Sequence, residues 1–399
     1  MQKSISKAAV TWRLILSVLL IGSFISCEDT NTVGGGVVEP SEIRVDTIYI
    51  SDFNQRSSDM YSGQLSNMPI GYYSDQLFGT FNSTGYIRPS LLSSSVSPVN
   101  DTTKLKLLLE NKTFLSLGDT TSSANYSIYK VTERWRGRTL LSSDNINYDE
   151  LVLAGSFTYQ NEESITVDLS DSISAEYIRF VNNEDDDRDS LYNAEFFGLA
   201  IVPDENSSQI MFPDISSSRF FFVDGSSNDT TLLTVADYGF TLERQNEPNF
   251  ADRYYLNSNL ESYYSLNFGE IASAIGSKNI LNAEVYLYED TTQVNNSLPN
   301  NHVRPALNLI DMKSIDDSEF KYELQFSGTD YFGFRDSTEN AFVLNITTHI
   351  NEYLFGDLES EDLYLIINPN GGLLKSSVFY DTNSSDALKP KLILTIAEQ

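Results

Sequence analysis

The side chains able to do chemistry are few. The chain holds one cysteine, Cys27, and two histidines, His302 and His349. One thiol cannot form a disulfide within the chain, and without cysteine or histidine pairs no zinc site is expected. A Ser-His-Asp triad would need one of the two histidines beside a nucleophile framed by glycines, and no such frame occurs. Carboxylates are abundant instead, with 56 Asp and Glu. In so acidic a chain some pair always looks spaced for glycoside hydrolysis, so solvated surface charge is the plainer reading. Asp185, Asp187 and Asp189 alternate like the opening ligands of a calcium loop, yet the turn glycine and closing glutamate of such a loop are missing. A solvated acidic loop is the first reading of that run, and weak calcium binding by the three aspartates is the second. No other cofactor is called for. Trp135 stands among Arg134, Arg136 and Arg138, the only local positive patch after Cys27. Sugar rings stack on an exposed tryptophan, and arginine pairs a uronate carboxylate through two parallel hydrogen bonds. The alternative is a tryptophan packed over a sandwich edge, with arginines answering the surrounding acid. Trp135, Arg134 and Arg138 are the candidate ligand-binding residues.

Cys27 has a use that needs no partner thiol. Residues 1–26 carry only positive charges, Lys3, Lys7 and Arg13, followed by the apolar run Leu14-Ile15-Leu16-Ser17-Val18-Leu19-Leu20-Ile21. That run is too short to span a bilayer as a helix and reads as an export signal. It closes on Phe24-Ile25-Ser26-Cys27, which resembles the bacterial lipobox, with Phe24 where Leu is usual. The resemblance implies cleavage before Cys27 and attachment of acyl chains, palmitate among them, to its thiol and amine. Several chains hold a protein firmly at a membrane, at about 0.8 kcal/mol per buried methylene. The polar, glycine-rich residues 27–42 then read as a flexible tether.

The rest of the chain must fold into elements that position these residues, and its pattern is that of strands. Alternating or short apolar runs recur between Ser, Asn, Asp and Gly clusters. They include Ile43–Ile50, Lys104–Leu109, Tyr126–Val131, Ser164–Leu169, Phe196–Val202 and Arg219–Val223. Short helices are expected near Ser172–Phe180, Phe268–Ile275 and Thr347–Leu354. The clusters Phe220-Phe221-Phe222 and Tyr254-Tyr255 are assigned to the core. The composition agrees: hydrophobic residues make up 40% of the chain, with 23 Tyr and 23 Phe, so the acidity is not that of a disordered chain. The formal net charge of −30 argues against nucleic acid as a partner.

An internal repeat divides the chain. Val167–Ile173 corresponds to Leu344–Ile350, and each leads to a Glu-Tyr pair, Glu176-Tyr177 and Glu352-Tyr353. Phe197–Pro203 corresponds to Leu363–Pro369, Leu105–Glu110 to Ala283–Glu289, and Arg219–Val223 to Lys391–Ile396. The expected architecture is all-β: two tandem, related β-sandwich (jelly-roll-like) units after the signal peptide. The first is expected over residues 43–243 and the second over 249–399, joined by Arg244–Pro248. The interval Leu169–Phe197 is longer than Ile346–Leu363, and the excess coincides with the acidic run 182–190, read as a loop insertion.

Three stretches resemble a family of Bacteroidota lipoproteins designated domain of unknown function 4270. They are Cys27-Glu28-Asp29 with Val33-Gly34-Gly35-Gly36-Val37-Val38, Gln76-Leu77-Phe78-Gly79-Thr80-Phe81, and Pro390-Lys391-Leu392-Ile393-Leu394. The resemblance covers nearly the whole mature chain. It implies outer-membrane placement with exposure at the cell surface and defines no activity. Each unit also resembles jelly-roll domains of secreted bacterial proteins, some of which bind polysaccharide. There a strand such as Tyr126–Val131 leads into a Trp, as in Val131-Thr132-Glu133-Arg134-Trp135; the second unit has Leu307–Asp311 instead. The expected role is therefore non-catalytic binding or assembly at the membrane, with outer-membrane proteins or polysaccharide as partners. The alternative is carbohydrate binding by loops around Trp135, and a glycan-active enzyme ranks below both.

Overall fold

The computed structural model describes residues 42–51, 53–57, 59–75, 79–93, 99–100, 103–223, 230–246, 252–257, 262–266, 275, 279–290, 309–314, 329–356, 358, 362–368, 371–374 and 376–398. The expected signal peptide, the expected tether save Glu42, His302 and the helix expected near Phe268–Ile275 (save Ile275) lie outside these residues.

The fold is all-β. The chain opens with β1 (Glu42–Tyr49) and β2 (Phe53–Ser57). Next come β3 (Ile70–Asp75), β4 (Gly79–Pro89), β5 (Leu105–Glu110), β6 (Leu117–Gly118), β7 (Ala124–Val131), β8 (Tyr148–Tyr159) and β9 (Ser164–Asp168). Two helices follow, α1 (Asp171–Val181) and α2 (Arg188–Glu195), then β10 (Leu199–Pro203), β11 (Gln209–Met211), β12 (Arg219–Val223) and β13 (Thr230–Gln245). The remainder is β14 (Arg253–Asn257), β15 (Ser262–Leu266), β16 (Asn279–Tyr288), β17 (Leu309–Ser314), β18 (Thr329–Asp336), β19 (Ala341–Asn345), α3 (Thr347–Phe355), β20 (Leu363–Asn368), β21 (Ser376–Tyr380) and β22 (Lys391–Glu398).

Period-two patterning explains the layers. In β5, Leu105, Leu107 and Leu109 are buried while the residues between them are half-buried, as a strand with one core face requires. Against them, in one apolar cluster, lie Ile70, Phe81 and Ile87 from β3 and β4, and Tyr126, Ile128, Leu199 and Ile201 from β7 and β10. Full burial of each such aliphatic chain contributes about 1.5–3 kcal/mol. A second cluster joins Val285, Leu287, Phe342, Leu344, Leu392 and Leu394 to Tyr264, Leu266, Leu363, Leu365 and Ile367. Both are sandwich cores.

The repeat is topological as well as sequential. Strands β12-β5-β9 are neighbours in that order, and so are β22-β16-β19. After β9 comes α1 and after β19 comes α3. The next strands, β10 and β20, each lie between two others: β10 between β4 and β7, β20 between β15 and β17. Then β11 pairs with β3 as β21 pairs with β14. The helices start where sequence expects them. Ser170 caps α1 by accepting from Ile173 N, and Gly356, at φ +79°, ends α3 in the left-handed region that glycine tolerates.

The unit boundaries differ from the expectation. In the first unit the long strand β13 follows β12, pairing first with β12 and then with β4. In the second unit the same two places, beside β22 and β15, are taken by β1 and β2 from the start of the chain. Residues 42–57 therefore belong to the second sandwich, and the first lies within the hairpin-like path from β2 to β15. Both units present an open place beside their last strand, and a pattern in sequence cannot tell which segment fills it. Arg244 and Gln245, expected in a linker, close β13. The acidic insertion is only partly a loop, since its end enters α2 at Arg188.

The sandwiches share packing. Tyr364, Ile366, Leu374 and Val378 join the first unit's core cluster. Asn67 donates to Gly371 O through both its backbone N (2.8 Å) and its Nδ2 (2.8 Å).

Candidate functional site

Trp135 is inside, not on the surface. It is 7% exposed, and its Nε1 donates to Phe197 O at 2.7 Å. Its ring lies 5.9 Å from Tyr86, and Val131, Leu140 and Ala200 complete the cluster. This corrects the stacking-platform expectation: with the indole edge spent on Phe197 O and the ring covered, no sugar can lie on it. Burial alternates from Arg134 to Arg138. Trp135 and Gly137 point in, and Arg134, Arg136 and Arg138 point out.

The buried tryptophan thus becomes the anchor of an arginine-bearing rim. Just beyond it, Gly137–Thr139 forms a single 3-10 turn. This turn lies against a second one, Ser62–Gln64, and against β13 where its register slips between Val235 and Asp237. The contacts are backbone on backbone. A Cβ at Gly63 would sit 2.3 Å from both Gly137 O and Tyr238 O, and one at Gly137 would sit 2.4 Å from Tyr238 O. Only glycine permits that approach. Hydrogen bonds fasten the junction: Ser62 N donates to Leu140 O (2.8 Å), Phe240 N to Ser62 Oγ (3.1 Å) and Gln64 Nε2 to Arg138 O (2.7 Å).

Between these segments opens a cleft of about 440 Å³ lined by Gln64, Arg136, Arg138, Asp237 and Tyr238, with the glycine backbones as its floor. Asp237 is already engaged: its Oδ1 accepts from Gly137 N (3.3 Å), and its Oδ2 lies 3.9 Å from Arg88 Nη1. Arg88 in turn covers the Tyr192 ring at 4.5 Å and donates to Asn193 Oδ1 at 2.8 Å. Burial pushes the Tyr238 phenol up, so it stays neutral, and it donates to Leu65 O at 3.2 Å. Arg134, Arg136 and Arg138 are different. Among the described residues none of their guanidinium groups has an acidic partner, whereas Arg179, Arg253 and Arg335 pair with Glu195, Asp290 and Glu289. Arg136, on extended backbone, and Arg138, in the turn that follows it, bring two guanidiniums to one cleft, and guanidinium donors suit a carboxylate.

Of the expected residues, Arg138 lines the cleft, Arg134 lies outside its lining on the same exposed face, and Trp135 sits beneath it. Arg136, Gln64, Asp237 and Tyr238 were not singled out as ligand residues. They come from three distant stretches, and only the glycines at 63 and 137 hint at close backbone packing. Asp185 and Asp187 are exposed, Asp189 accepts from Arg188 Nε (3.1 Å), and the described residues hold no group of three His, Cys, Asp or Glu side chains that could bind a metal. Arg188 itself is buried, 7% exposed, and donates to Leu92 O (2.8 Å). The acidic run leads into α2 at Arg188. His349 is 1% exposed, with its ring 5.6 Å from Tyr331 in the second sandwich.

No helix among the described residues is long and apolar enough to cross a membrane. No family model matches the chain, and no curated protein matches it. A structure of the Macrobrachium rosenbergii nodavirus aligns at 8% identity and a TM-score of 0.14, over 93% of this chain and 94% of that one. A structure of infectious bursal disease virus, Gx strain, aligns at 10% identity and a TM-score of 0.11, over 92% and 79%. Both scores lie far below those of a shared fold, so the functional reading rests on this chain's own geometry.

Proposed function

We propose that this protein is a non-catalytic binding protein, held by acyl chains on Cys27 at the outer membrane and facing outward, that takes a carboxylate-bearing ligand in the Arg136–Arg138 cleft. The observation that carries the reading is the pair of guanidiniums at that cleft that have no acidic partner among the described residues. Asp237, the other charged residue of the lining, is already engaged, which leaves Arg136 and Arg138 to recognise a ligand. The shape of the cleft supports the same reading. Its floor is backbone locked by glycine contacts, so little order has to be gained when a ligand enters. The chain's overall negative charge repels acidic polymers at long range, and binding by this cleft depends on short-range paired hydrogen bonds instead.

A uronate-bearing polysaccharide supplies such carboxylates without any stacking on Trp135, and an acidic loop of an outer-membrane protein supplies them as well. The lipobox and the resemblance to domain of unknown function 4270 support the membrane placement. The test is titration calorimetry of the protein with oligogalacturonate. Binding that falls at least about tenfold in Arg136→Ala/Arg138→Ala, and weakens with salt, supports the reading. Equal binding by the wild type and the double variant removes it. Affinity capture from detergent-solubilised outer membranes tests the protein-partner form, through loss of the captured protein in the same double variant.

A further inference from the structure

The five outer edge strands of the two large sheets are not alike. In the eleven-stranded sheet, β6 has two residues, β9 has five, and β8 is broken by register shifts opposite Ile128–Lys130. In the nine-stranded sheet, β2 ends one side with the exposed polar residues Asn54, Gln55, Arg56 and Ser57. Shortness, bulges and polar side chains are the usual means by which a sheet edge avoids pairing with another chain. β1, at the other side, is neither short nor bulged, and its polar side chains include charges of both signs, Glu42, Arg44 and Asp46. It runs for eight residues in unbroken register with β22, contains neither proline nor lysine, and shows Ile43 and Val45 70% and 64% exposed. Among the described residues nothing pairs with its outer edge.

We infer that β1 is the docking edge for a second copy of this chain, pairing antiparallel with its counterpart across a two-fold axis at Val45. The sequence of β1 is self-complementary about that residue. With Val45 opposite Val45 of the second copy, Arg44 lies opposite Asp46 and Asp46 opposite Arg44, while Ile43 meets Thr47. Arg44 and Asp46 already pair within each β1; directly opposed residues of an antiparallel pair interact through neighbouring Cβ atoms, so across the axis the two pairs meet as one four-charge cluster beside a central valine pair. Moving the axis by one residue, to Arg44 or Asp46, sets like charges against each other at the centre. The contact is isologous, closes on itself and stops at two copies. It joins two nine-stranded sheets into one, satisfies a row of backbone groups, and places the exposed Ile43 and Val45 side chains beside partners.

The test uses the full chain carrying Cys27→Ser, so that added thiols are the only ones. Directly opposed Cα atoms lie about 4.5–5.5 Å apart, within disulfide range. Val45→Cys is expected to give a covalent dimer on mild oxidation. Ile43→Cys alone is expected not to, but to cross-link when mixed with Thr47→Cys. In sedimentation, Arg44→Asp is expected to raise the dimer dissociation constant at least about tenfold, and Arg44→Asp/Asp46→Arg to restore it. A monomeric wild type, equal cross-linking at 43 and 45, or no recovery in the double reversal overturns the inference. Arg44 is half-exposed at 53% of its side chain, and circular dichroism separates a folding defect from lost pairing.

Discussion

Replacing Trp135 by alanine separates a ligand platform from a structural anchor. The indole is 7% exposed, packs against Tyr86, Val131, Leu140 and Ala200, and donates to Phe197 O at 2.7 Å. Truncating a buried aromatic to alanine removes its transfer free energy and leaves a cavity, together about 3–5 kcal/mol. The lost hydrogen bond belongs to that sum, because Phe197 O is left without this donor. Trp135→Phe keeps a ring in place and loses the donor, so about 1–2 kcal/mol is expected. The assay is urea unfolding followed by circular dichroism, with the order wild type, Trp135→Phe, Trp135→Ala in falling midpoint. The chain has two tryptophans and the other is Trp12, so in protein lacking residues 1–26 the tryptophan fluorescence comes from Trp135 alone. It should resist quenching by iodide until the protein unfolds. If Trp135→Ala unfolds at the wild-type midpoint and yet loses oligogalacturonate binding, the indole is a binding surface and the burial argument fails.

Gly63→Ala should destabilise the chain by about 1–3 kcal/mol and weaken carboxylate binding, because its Cβ would meet two backbone oxygens at 2.3 Å; unchanged thermal stability would contradict that packing. Glu289 is buried beside Arg335, and its carboxyl is held above the usual range first by burial, with Arg335 pulling the other way. A raised acid binds more protons folded than unfolded, so its contribution is present below about pH 4.5 and is lost as pH rises through the raised value. Melting temperatures recorded against pH should therefore show a downward component above that point in the wild type that Glu289→Gln lacks, and parallel curves would refute it. Cys27→Ser should abolish labelling by radioactive palmitate and move the protein out of the membrane fraction; retention with label intact would end the lipid reading.

Several elements were legible before any coordinates. The run Arg219–Val223 is β12, Tyr126–Val131 lies in β7, and Ser172–Phe180 and Thr347–Leu354 lie in α1 and α3. These segments carry their own signal, an alternation of period two or a capped amphipathic turn, which depends on near neighbours alone. The second helix was missed because an acidic run masked it: Arg188, Leu191 and Tyr192 face inward behind Asp185–Asp187, and charge composition reads as loop. The matched pairs of the repeat were legible for the same reason, since each half preserves the pattern of its own strands.

The sequence by itself determined that this chain is β-rich and acidic, that two related halves recur, and that Cys27 stands alone. Each follows from composition or from short-range periodicity. Tertiary structure alone decided the rest. It turned Trp135 inward and its arginine neighbours outward, because which face of this segment is covered depends on Tyr86 and Phe197 arriving from elsewhere. It brought Gln64 and Asp237 to Arg136 and Arg138 through three glycine-tight backbone contacts far apart in the chain. It also gave β1 and β2 to the second sandwich, because an open sheet edge accepts any strand of matching length and register, and proximity in space decides which one arrives.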